Sequence, residues 1–277
     1  MPAFDRFIRG CLHYRNSGLK LSLRDQMARK KEGFRQEDPR NQALLITCMD
    51  ARLQPNIFAG TQSDNIMYIL RNPGNMVPNC SIQQKSVLDG LPQSETNTIV
   101  SSELAAVYLI SRGLALHVVV CGHSDCRAMD GLHHKLHSKM EMSLEKSDPL
   151  RAYLIHYGQP SLGKFREYLL DRKRPLKFFA DVPPQQFDAV IDPGGALPEV
   201  DQLSQINCLQ QLENLASHTA LQSVLTEADR KKRLSLHAMW YQVETGEIFM
   251  FCKDELQFKV LDDVMAKKIV EKYRIVE

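Results

Sequence analysis

Short apolar runs separated by a helix-length segment constrain the fold of this 277-residue chain more than any other feature. Residues 43–47 and 116–121 are apolar runs with the length of a buried strand, and residues 65–70 have the same character. Between these runs, residues 98–112 carry apolar side chains at helical spacing and stop at Gly113. Strand, helix and strand in this order are typical of a parallel sheet with helical crossovers.

The C-terminal half continues the alternation of helix and strand. Residues 203–218 predict an amphipathic helix, and residues 234–241 and 247–252 predict two strands joined by a tight turn. We therefore expect one α/β domain over residues 1–277, with its core in residues 41–277. Its centre is predicted to be a mostly parallel sheet of about four strands with a C-terminal edge strand, flanked by helices.

Residues 1–40 form a basic arm, with ten Lys or Arg against five Asp or Glu. The apolar residues near its start fall at helical spacing and predict an amphipathic helix that covers a surface: Phe4, Phe7, Ile8, Cys11 and Leu12. An Arg-rich, acid-poor start is also compatible with a mitochondrial transit peptide, whereas no apolar core of a secretory signal is visible. We expect an intracellular protein, with cytoplasm and mitochondrion both left open.

Composition excludes several classes of protein. Hydrophobic residues make up 43% of the chain, and 35 Lys and Arg face 33 Asp and Glu for a net charge of +2. A disordered chain would be poorer in apolar residues and more highly charged. A near-neutral chain has no global field for nucleic acid, and the apolar runs are shorter than the ~18 residues that a membrane span needs. We expect neither nucleic-acid nor membrane partners.

Seven cysteines, an odd number without regular spacing, argue against a disulfide framework. Most are expected to pack as small hydrophobic residues: Cys11, Cys80, Cys121, Cys208 and Cys252. The other two differ because charged or polar residues surround them. These two are Cys48 and Cys126.

Candidate metal ligands follow two of the predicted strands. Cys48 ends the first strand, and His123 and Cys126 follow the strand over residues 116–121. Because ligand sites form at the carboxyl ends of parallel strands, these loops are expected to be neighbours. Two thiolates and one imidazole favour zinc and leave a fourth position open for water or substrate. The alternative is that both cysteines belong to the core and that the histidine is a hydrogen-bonded loop residue.

A second histidine cluster consists of His133, His134 and His137. His133 and His137 are four residues apart and could share a helix face and a metal. No glutamate completes the H-E-x-x-H pattern of a metalloprotease. A solvated helix face and a proton-shuttle role are the other interpretations.

The chain resembles the β-class carbonic anhydrases, and most closely the branch of that family found in animals. Its C-x-D-x-R motif is Cys48, Asp50 and Arg52, and its H-x-x-C motif is His123 and Cys126. The resemblance extends over nearly the whole chain, including the N-terminal arm, residues 71–75, Glu103, and residues 120–126, 211–214 and 237–246.

The resemblance implies a zinc enzyme that hydrates carbon dioxide reversibly to bicarbonate and a proton. In this family Cys48, His123 and Cys126 would bind Zn²⁺, and zinc-bound hydroxide would attack carbon dioxide. Asp50 and Arg52 would form the catalytic dyad, in which Arg52 keeps the carboxylate ionised. At low pH, Asp50 would also be able to leave Arg52 and bind the metal.

The resemblance further places Tyr68 in the carbon dioxide pocket. It implies a homodimer, or two dimers paired into a tetramer, in which the arm wraps the partner subunit. The chain departs from the family at Arg127 and Ala128, where many relatives have two glycines, and at Leu104, where a pocket tyrosine is usual. The substrate contacts that relatives make at these three positions therefore do not carry over to this chain.

Two other functions remain open at this stage. The same zinc scaffold could hydrolyse carbon disulfide or carbonyl sulfide. A non-catalytic structural-zinc or redox-sensing module would need a fourth protein ligand, for which Asp50 is the nearby candidate. Arg52 argues against that module because it gives Asp50 a different partner.

Overall fold

The computed structural model describes residues 3–18, 21, 43–60, 67–80, 105–106, 112, 116–137, 148–179, 185–229 and 232–273. Its strands are β1 (Ala43–Cys48), β2 (Met67–Asn72), β3 (His117–His123), β4 (Leu176–Phe178), β5 (Phe187–Ala189), β6 (Ser235–Tyr241), β7 (Ile248–Cys252) and β8 (Gln257–Val260). Its helices are α1 (Ala3–Asn16), α2 (Pro55–Phe58), α3 (Arg127–His137), α4 (Pro149–Leu170), α5 (Glu199–Ala216), α6 (Thr219–Leu225) and α7 (Asp263–Tyr273). The helix predicted over residues 98–112, with Glu103 and Leu104, lies almost entirely outside the described residues.

A six-stranded sheet runs through the centre in the order β2-β1-β3-β6-β7-β8. Strands β2, β1, β3 and β6 are parallel, which confirms the predicted sheet of about four parallel strands. Strands β7 and β8 are added antiparallel. The C-terminal segment therefore supplies two antiparallel strands where the sequence predicted one edge strand. The extra strand, β8, is short and only partly buried, so it lacks the apolar run by which buried strands are recognised.

Helix α5 packs against the centre of the sheet and is buried on almost every side. The helix was predicted, but its interpretation as amphipathic is wrong. Polar residues such as Asn207, Gln211 and Asn214 are as deeply buried as the leucines beside them. Buried amides are tolerated only when hydrogen-bonded, and these bind the loop that ends β2.

Helix α4 lies on α3 and α5 and was not anticipated from the sequence. Asp148 caps it by accepting a 3.0 Å hydrogen bond from the Arg151 amide, and Pro149 occupies the first turn. Its apolar residues do not form one continuous stripe, and Pro160 interrupts the helical pattern, which conceals the helix from periodicity arguments.

Helix α1 confirms the helical start of the arm, and its apolar side chains are exposed within one chain. Phe4 is 73% and Phe7 is 64% exposed, and their rings stack with centroids 6.4 Å apart. Ile8 and Leu12 extend the same exposed surface. Among the described helices, none has the length and apolar character of a bilayer-spanning segment.

Candidate metal centre

The centre forms where β1 and β3 end side by side. These strands are parallel neighbours in which Thr47 pairs with Cys121, so their carboxyl ends lie at the same edge of the sheet. Cys48 is the last residue of β1, and His123 is the last residue of β3. Cys126 follows one short turn later, and all three side chains are buried.

The turn between His123 and Cys126 is fixed by hydrogen bonds from distant elements. Asp125 has a left-handed backbone conformation, with φ of 51°, and its amide donates to the Asp201 carboxylate at 2.8 Å. The Ser124 hydroxyl donates to the Glu244 carboxylate, also at 2.8 Å. This unusual backbone conformation brings two ligands from one turn to the same point.

The three candidate ligand atoms converge closely enough to hold one ion. The two sulfurs and a ring nitrogen of His123 all lie within 4.8 Å of one another, and the two Sγ atoms are 4.0 Å apart. Tetrahedral zinc with Zn–S bonds of about 2.3 Å separates two sulfurs by roughly 3.8 Å. Among the described residues, this is the one group of three or more such side chains found in ligating range.

The protonation of His123 also suits a metal. Its Nδ1 donates to the Ser124 carbonyl at 2.8 Å, since a carbonyl oxygen only accepts. Nε2 therefore carries a lone pair, and this buried atom has no hydrogen-bond partner among the described residues. A buried imidazole lone pair beside two sulfurs is the donor set that zinc prefers.

The two sulfurs share one proton in the absence of a cation. The Cys126 thiol donates a hydrogen bond that lowers the pKa of Cys48, and the resulting thiolate, together with burial, raises the pKa of Cys126. Two adjacent buried thiolates repel each other, so both ionise only when a positive ion neutralises them. A divalent cation meets this need, and the residues present therefore fit zinc.

The predicted dyad of Asp50 and Arg52 is formed. The Arg52 guanidinium meets the carboxylate as a fork, with Nε to Oδ1 at 3.0 Å and Nη2 to Oδ2 at 2.7 Å. Its Nη1 also donates to Asp125 Oδ2 at 2.7 Å. The hydrogen bonds from Arg52 lower the pKa of Asp50 far below its usual value, so the carboxylate is ionised at any physiological pH.

Asp50 itself is not part of the group of three ligand atoms. The Arg71 guanidinium fixes its main chain, because Nε donates to the Cys48 carbonyl at 3.1 Å and Nη2 to the Asp50 carbonyl at 2.5 Å. Metal binding by Asp50 at low pH stays a prediction.

Residues of α5 that the sequence analysis did not assign to the site hold the loop after β2. The Gln211 side chain accepts from the Val77 amide at 2.7 Å, and the Asn214 side chain donates to the Val77 carbonyl at 2.9 Å. Asn207 donates to the Gly74 carbonyl at 2.9 Å. The sequence signal that could have revealed this role is the high content of Asn and Gln in a helix whose polar residues do not form one continuous face.

A cavity of about 580 Å³ opens beside the centre. It is lined by Cys48, Met49, Asp50, Ala51, Arg52, Pro73, Asp125, Arg127, Ala128, Leu150 and Leu154. Tyr68 is not among these lining residues, and its side chain is partly buried against the core. Its assignment to the substrate pocket stays a prediction.

In the second histidine cluster, His133 contacts neighbouring helices, whereas His134 lies on the solvent-exposed side of α3. His133 Nε2 lies 2.9 Å from the Glu199 carboxylate, and His134 Nδ1 lies 3.0 Å from the Asp130 carbonyl. His133 also meets the Phe165 ring edge-on. Helix α3 is therefore anchored to α5 through His133, whereas the side chain of His137 lies outside the described residues.

Comparison with known proteins places this geometry in a family. A family model described as carbonic anhydrase matches residues 43–168. The chain is 35% identical over 263 residues to beta carbonic anhydrase 1 of Caenorhabditis briggsae, covering 94% of this chain and 88% of the nematode protein. It is 34% identical over 261 residues to beta carbonic anhydrase 1 of Caenorhabditis elegans, with 94% and 88% of the two chains covered.

Solved structures agree in fold. The β-carbonic anhydrase CcaA superposes with a TM-score of 0.62 at 24% identity, covering 94% of this chain and 92% of its own. The β-carbonic anhydrase CafA of Aspergillus fumigatus gives 0.53 at 15% identity, with 96% and 99% covered. The resemblance of the motifs, the fold and the identity to the nematode proteins agree, and the chain belongs to the β-class carbonic anhydrase family of enzymes.

Proposed function

We propose that this protein catalyses the reversible hydration of carbon dioxide to bicarbonate and a proton, with one zinc ion held by Cys48, His123 and Cys126. The convergence of two sulfurs and an unpartnered imidazole nitrogen within 4.8 Å, at the wall of a cavity, supports this function most directly. Zinc in such a site supplies a nucleophile near neutral pH, because it lowers the pKa of a coordinated water molecule.

The dyad orients the reacting water in this proposal. Asp50 is ionised and would accept a hydrogen bond from the reacting water, which would orient that water towards carbon dioxide. Arg52 fixes the carboxylate with two parallel hydrogen bonds and is itself anchored on Asp125. If Arg52 contacted Asp50 alone, the carboxylate would be freer to rotate. The contact of Arg52 with Asp125 therefore helps to position Asp50.

The remaining wall suits an apolar substrate. Ala51, Ala128, Leu150 and Leu154 supply hydrocarbon surface around the polar centre. Carbon dioxide has no charge and gains little from hydrogen bonds, so such a surface holds it without competing with the reacting water. Tyr68 is proposed as a further contact on the resemblance alone.

Two observations support an open catalytic centre over a structural zinc site. The group of converging side chains in the described part of the chain has three members, and a structural site needs four protein ligands. Asp50, a further carboxylate that lines the cavity, is held by Arg52 through both oxygens.

Substitution of the dyad tests the function. Asp50→Asn removes the charged acceptor and is expected to lower kcat/KM for carbon dioxide hydration by roughly 10²- to 10⁴-fold from pH 6 to 9, with zinc retained. Arg52→Ala is expected to lower activity most at low pH, because the released carboxylate competes with water for zinc. Asp263→Asn, which changes an exposed carboxylate in α7, is the matched control.

Metal content and stopped-flow hydration rates are measured together on all four proteins, including wild type. A zinc-loaded wild type without hydration activity, or full activity of Asp50→Asn at pH 9, would contradict the proposal.

We also propose that residues 1–277 form one domain with a zinc-binding core over residues 41–277, and that its arm, residues 1–40, joins two copies into a homodimer. Support comes from the exposed apolar side of α1, since a surface helix normally buries such a stripe. Phe4→Ser combined with Phe7→Ser should weaken dimerisation, whereas Arg6→Ser on the same helix should not. Sedimentation of the three proteins over a range of concentrations decides this, and identical dissociation constants would refute the role of the arm.

A further inference from the structure

Arg127 stands out among the charged residues that line the cavity because none of the residues described by the structure is its hydrogen-bond or ion-pair partner. Arg52 is engaged by the carboxylates of Asp50 and Asp125. Arg127 lines the same cavity and is exposed, yet it makes no hydrogen bond or ion pair with any residue in the described part of the chain. A guanidinium offers five N–H donors in a planar fork, and none of those of Arg127 is used by another residue in the described part of the chain.

The charge balance of the cavity indicates what that ligand is. Among the described residues that line it, the charged side chains besides the metal ligands are Asp50, Asp125, Arg52 and Arg127. Without Arg127, two carboxylates would face one guanidinium, and this excess of negative charge would repel an anion. Zn²⁺ with two thiolates and a neutral imidazole has no net charge, so the centre does not compensate. Arg127 therefore supplies the positive charge that an anionic reactant needs.

The position of the Arg127 backbone is determined by the turn that also positions the metal ligands. It is the first residue of α3 and follows the ligand Cys126 directly, so the turn that fixes the ligand also fixes the start of its side chain. The apolar side chains of Ala128, Leu150 and Leu154 line the same wall. Hydrocarbon beside a cation lowers the local dielectric, so its charge is less screened than on open surface.

We propose that Arg127 is a bicarbonate-binding residue, which holds the anion in the cavity as it leaves after hydration or enters for dehydration. This inference rests on the proposed function, since bicarbonate is its anionic reactant. The planar carboxylate-like face of bicarbonate matches the guanidinium fork, and a charge-assisted pair of hydrogen bonds results. An arginine at this position should therefore bind bicarbonate more tightly than a neutral side chain would.

Site-resolved chemical modification tests binding without relying on catalysis. Phenylglyoxal modifies accessible arginines, and Arg166 is an exposed arginine on α4 that also has no partner among the described residues and lies outside the cavity lining. Bicarbonate at twice its Kd or more should slow the modification of Arg127 at least about threefold relative to Arg166, by mass action. Peptide mass spectrometry of zinc-loaded wild type gives this ratio, and Arg166 corrects for any effect of bicarbonate on the reagent.

Kinetics in the dehydration direction give the second readout. Arg127→Gln should raise the KM for bicarbonate about three- to tenfold with kcat changed less than about twofold, because it removes binding and not chemistry. A catalyst cannot shift the equilibrium, so kcat/KM for hydration must fall by the same factor as kcat/KM for dehydration. The bicarbonate KM of Arg127→Lys should lie between those of wild type and Arg127→Gln, and the KM of Arg166→Gln should match wild type. Zinc content is measured for each variant.

The outcomes separate this inference from the proposed function. Normal hydration with an unchanged bicarbonate KM in Arg127→Gln, or equal protection of Arg127 and Arg166, overturns the role of Arg127 alone. A zinc-loaded wild type that does not hydrate carbon dioxide overturns the proposed function, and the protection ratio then still decides whether Arg127 binds the anion.

Discussion

Two pairs of buried cysteines in this protein have opposite chemistry. The site pair, Cys48 and Cys126, lies at the ends of the strands, whereas the core pair consists of Cys121 within β3 and Cys208 within α5. Hydrogen bonding from Cys126 lowers the pKa of Cys48 to about 4, but burial raises the pKa of Cys121 to about 12 and that of Cys208 well above its usual value. Burial alone therefore does not decide what a cysteine does.

The neighbours of each sulfur decide it. The site pair has Cys48 on the cavity wall and the buried lone pair of His123 beside it. In the core pair, Cys208 fills the space above Gly122, where an added Cβ would lie 2.5 Å from its sulfur. The site pair is therefore arranged to bind a cation. The core pair packs as expected for small hydrophobic residues.

The largest expected effect is loss of the metal. Cys48→Ser or Cys126→Ser should lose both zinc and hydration activity, because a hydroxyl is a far poorer zinc ligand than a thiolate. Cys121→Ala should keep both. Metal analysis by mass spectrometry and stopped-flow assays on the purified variants test the comparison directly, and full zinc occupancy in a Cys48/Cys126 double serine variant would break it.

A smaller but still large contrast is expected in thiol reactivity after zinc is removed with a chelator. The lowered pKa keeps Cys48 as a thiolate, so its alkylation by iodoacetamide should be nearly independent of pH between 6 and 8. The raised pKa keeps Cys121 protonated, so it should react at least about a hundredfold more slowly.

Peptide mass spectrometry at several pH values measures both alkylation rates on the same folded sample. Comparable rates for Cys48 and Cys121 would mean that the two pairs do not differ as their surroundings imply. Unfolding the protein should remove the contrast, which controls for intrinsic reactivity.

The smallest effect concerns packing around the core pair. Gly122→Ala should destabilise the protein by about 1–3 kcal/mol, because the new methyl group collides with the Cys208 sulfur. Adding Cys208→Ala should restore part of the loss, although Ser204 stays within 3.2 Å of the new methyl group. Chemical denaturation of the single and double variants measures the coupling, and additive losses would show that Cys208 is not the obstacle.

Helix α5 shows where pattern reading reached its limit. Its position was predictable, but its Asn and Gln residues were expected on a solvated face. They are buried because each binds a backbone group of the loop after β2, which is more than 130 residues away in sequence. Periodicity reports how often apolar residues recur and contains no information about such distant partners.

The sequence by itself determined the elements that set the chemistry. Apolar runs located β1, β3 and β6, and the residues that follow β1 and β3 already contained the thiolates, the imidazole and the dyad. Parallel strands end at one edge, so the meeting of Cys48 with His123 followed from local patterns and one topological rule. The helix at the start of the arm was likewise predictable from the helical spacing of its apolar residues.

Only the tertiary structure decided which polar groups find partners. It paired Arg52 with both Asp50 and Asp125, left His123 Nε2 and Arg127 without partners in the described part of the chain, and turned the polar side chains of α5 inward. Hydrogen bonds and ion pairs depend on distances of a few ångströms between residues far apart in the chain. Composition and spacing do not encode those distances, because packing of the whole core sets them.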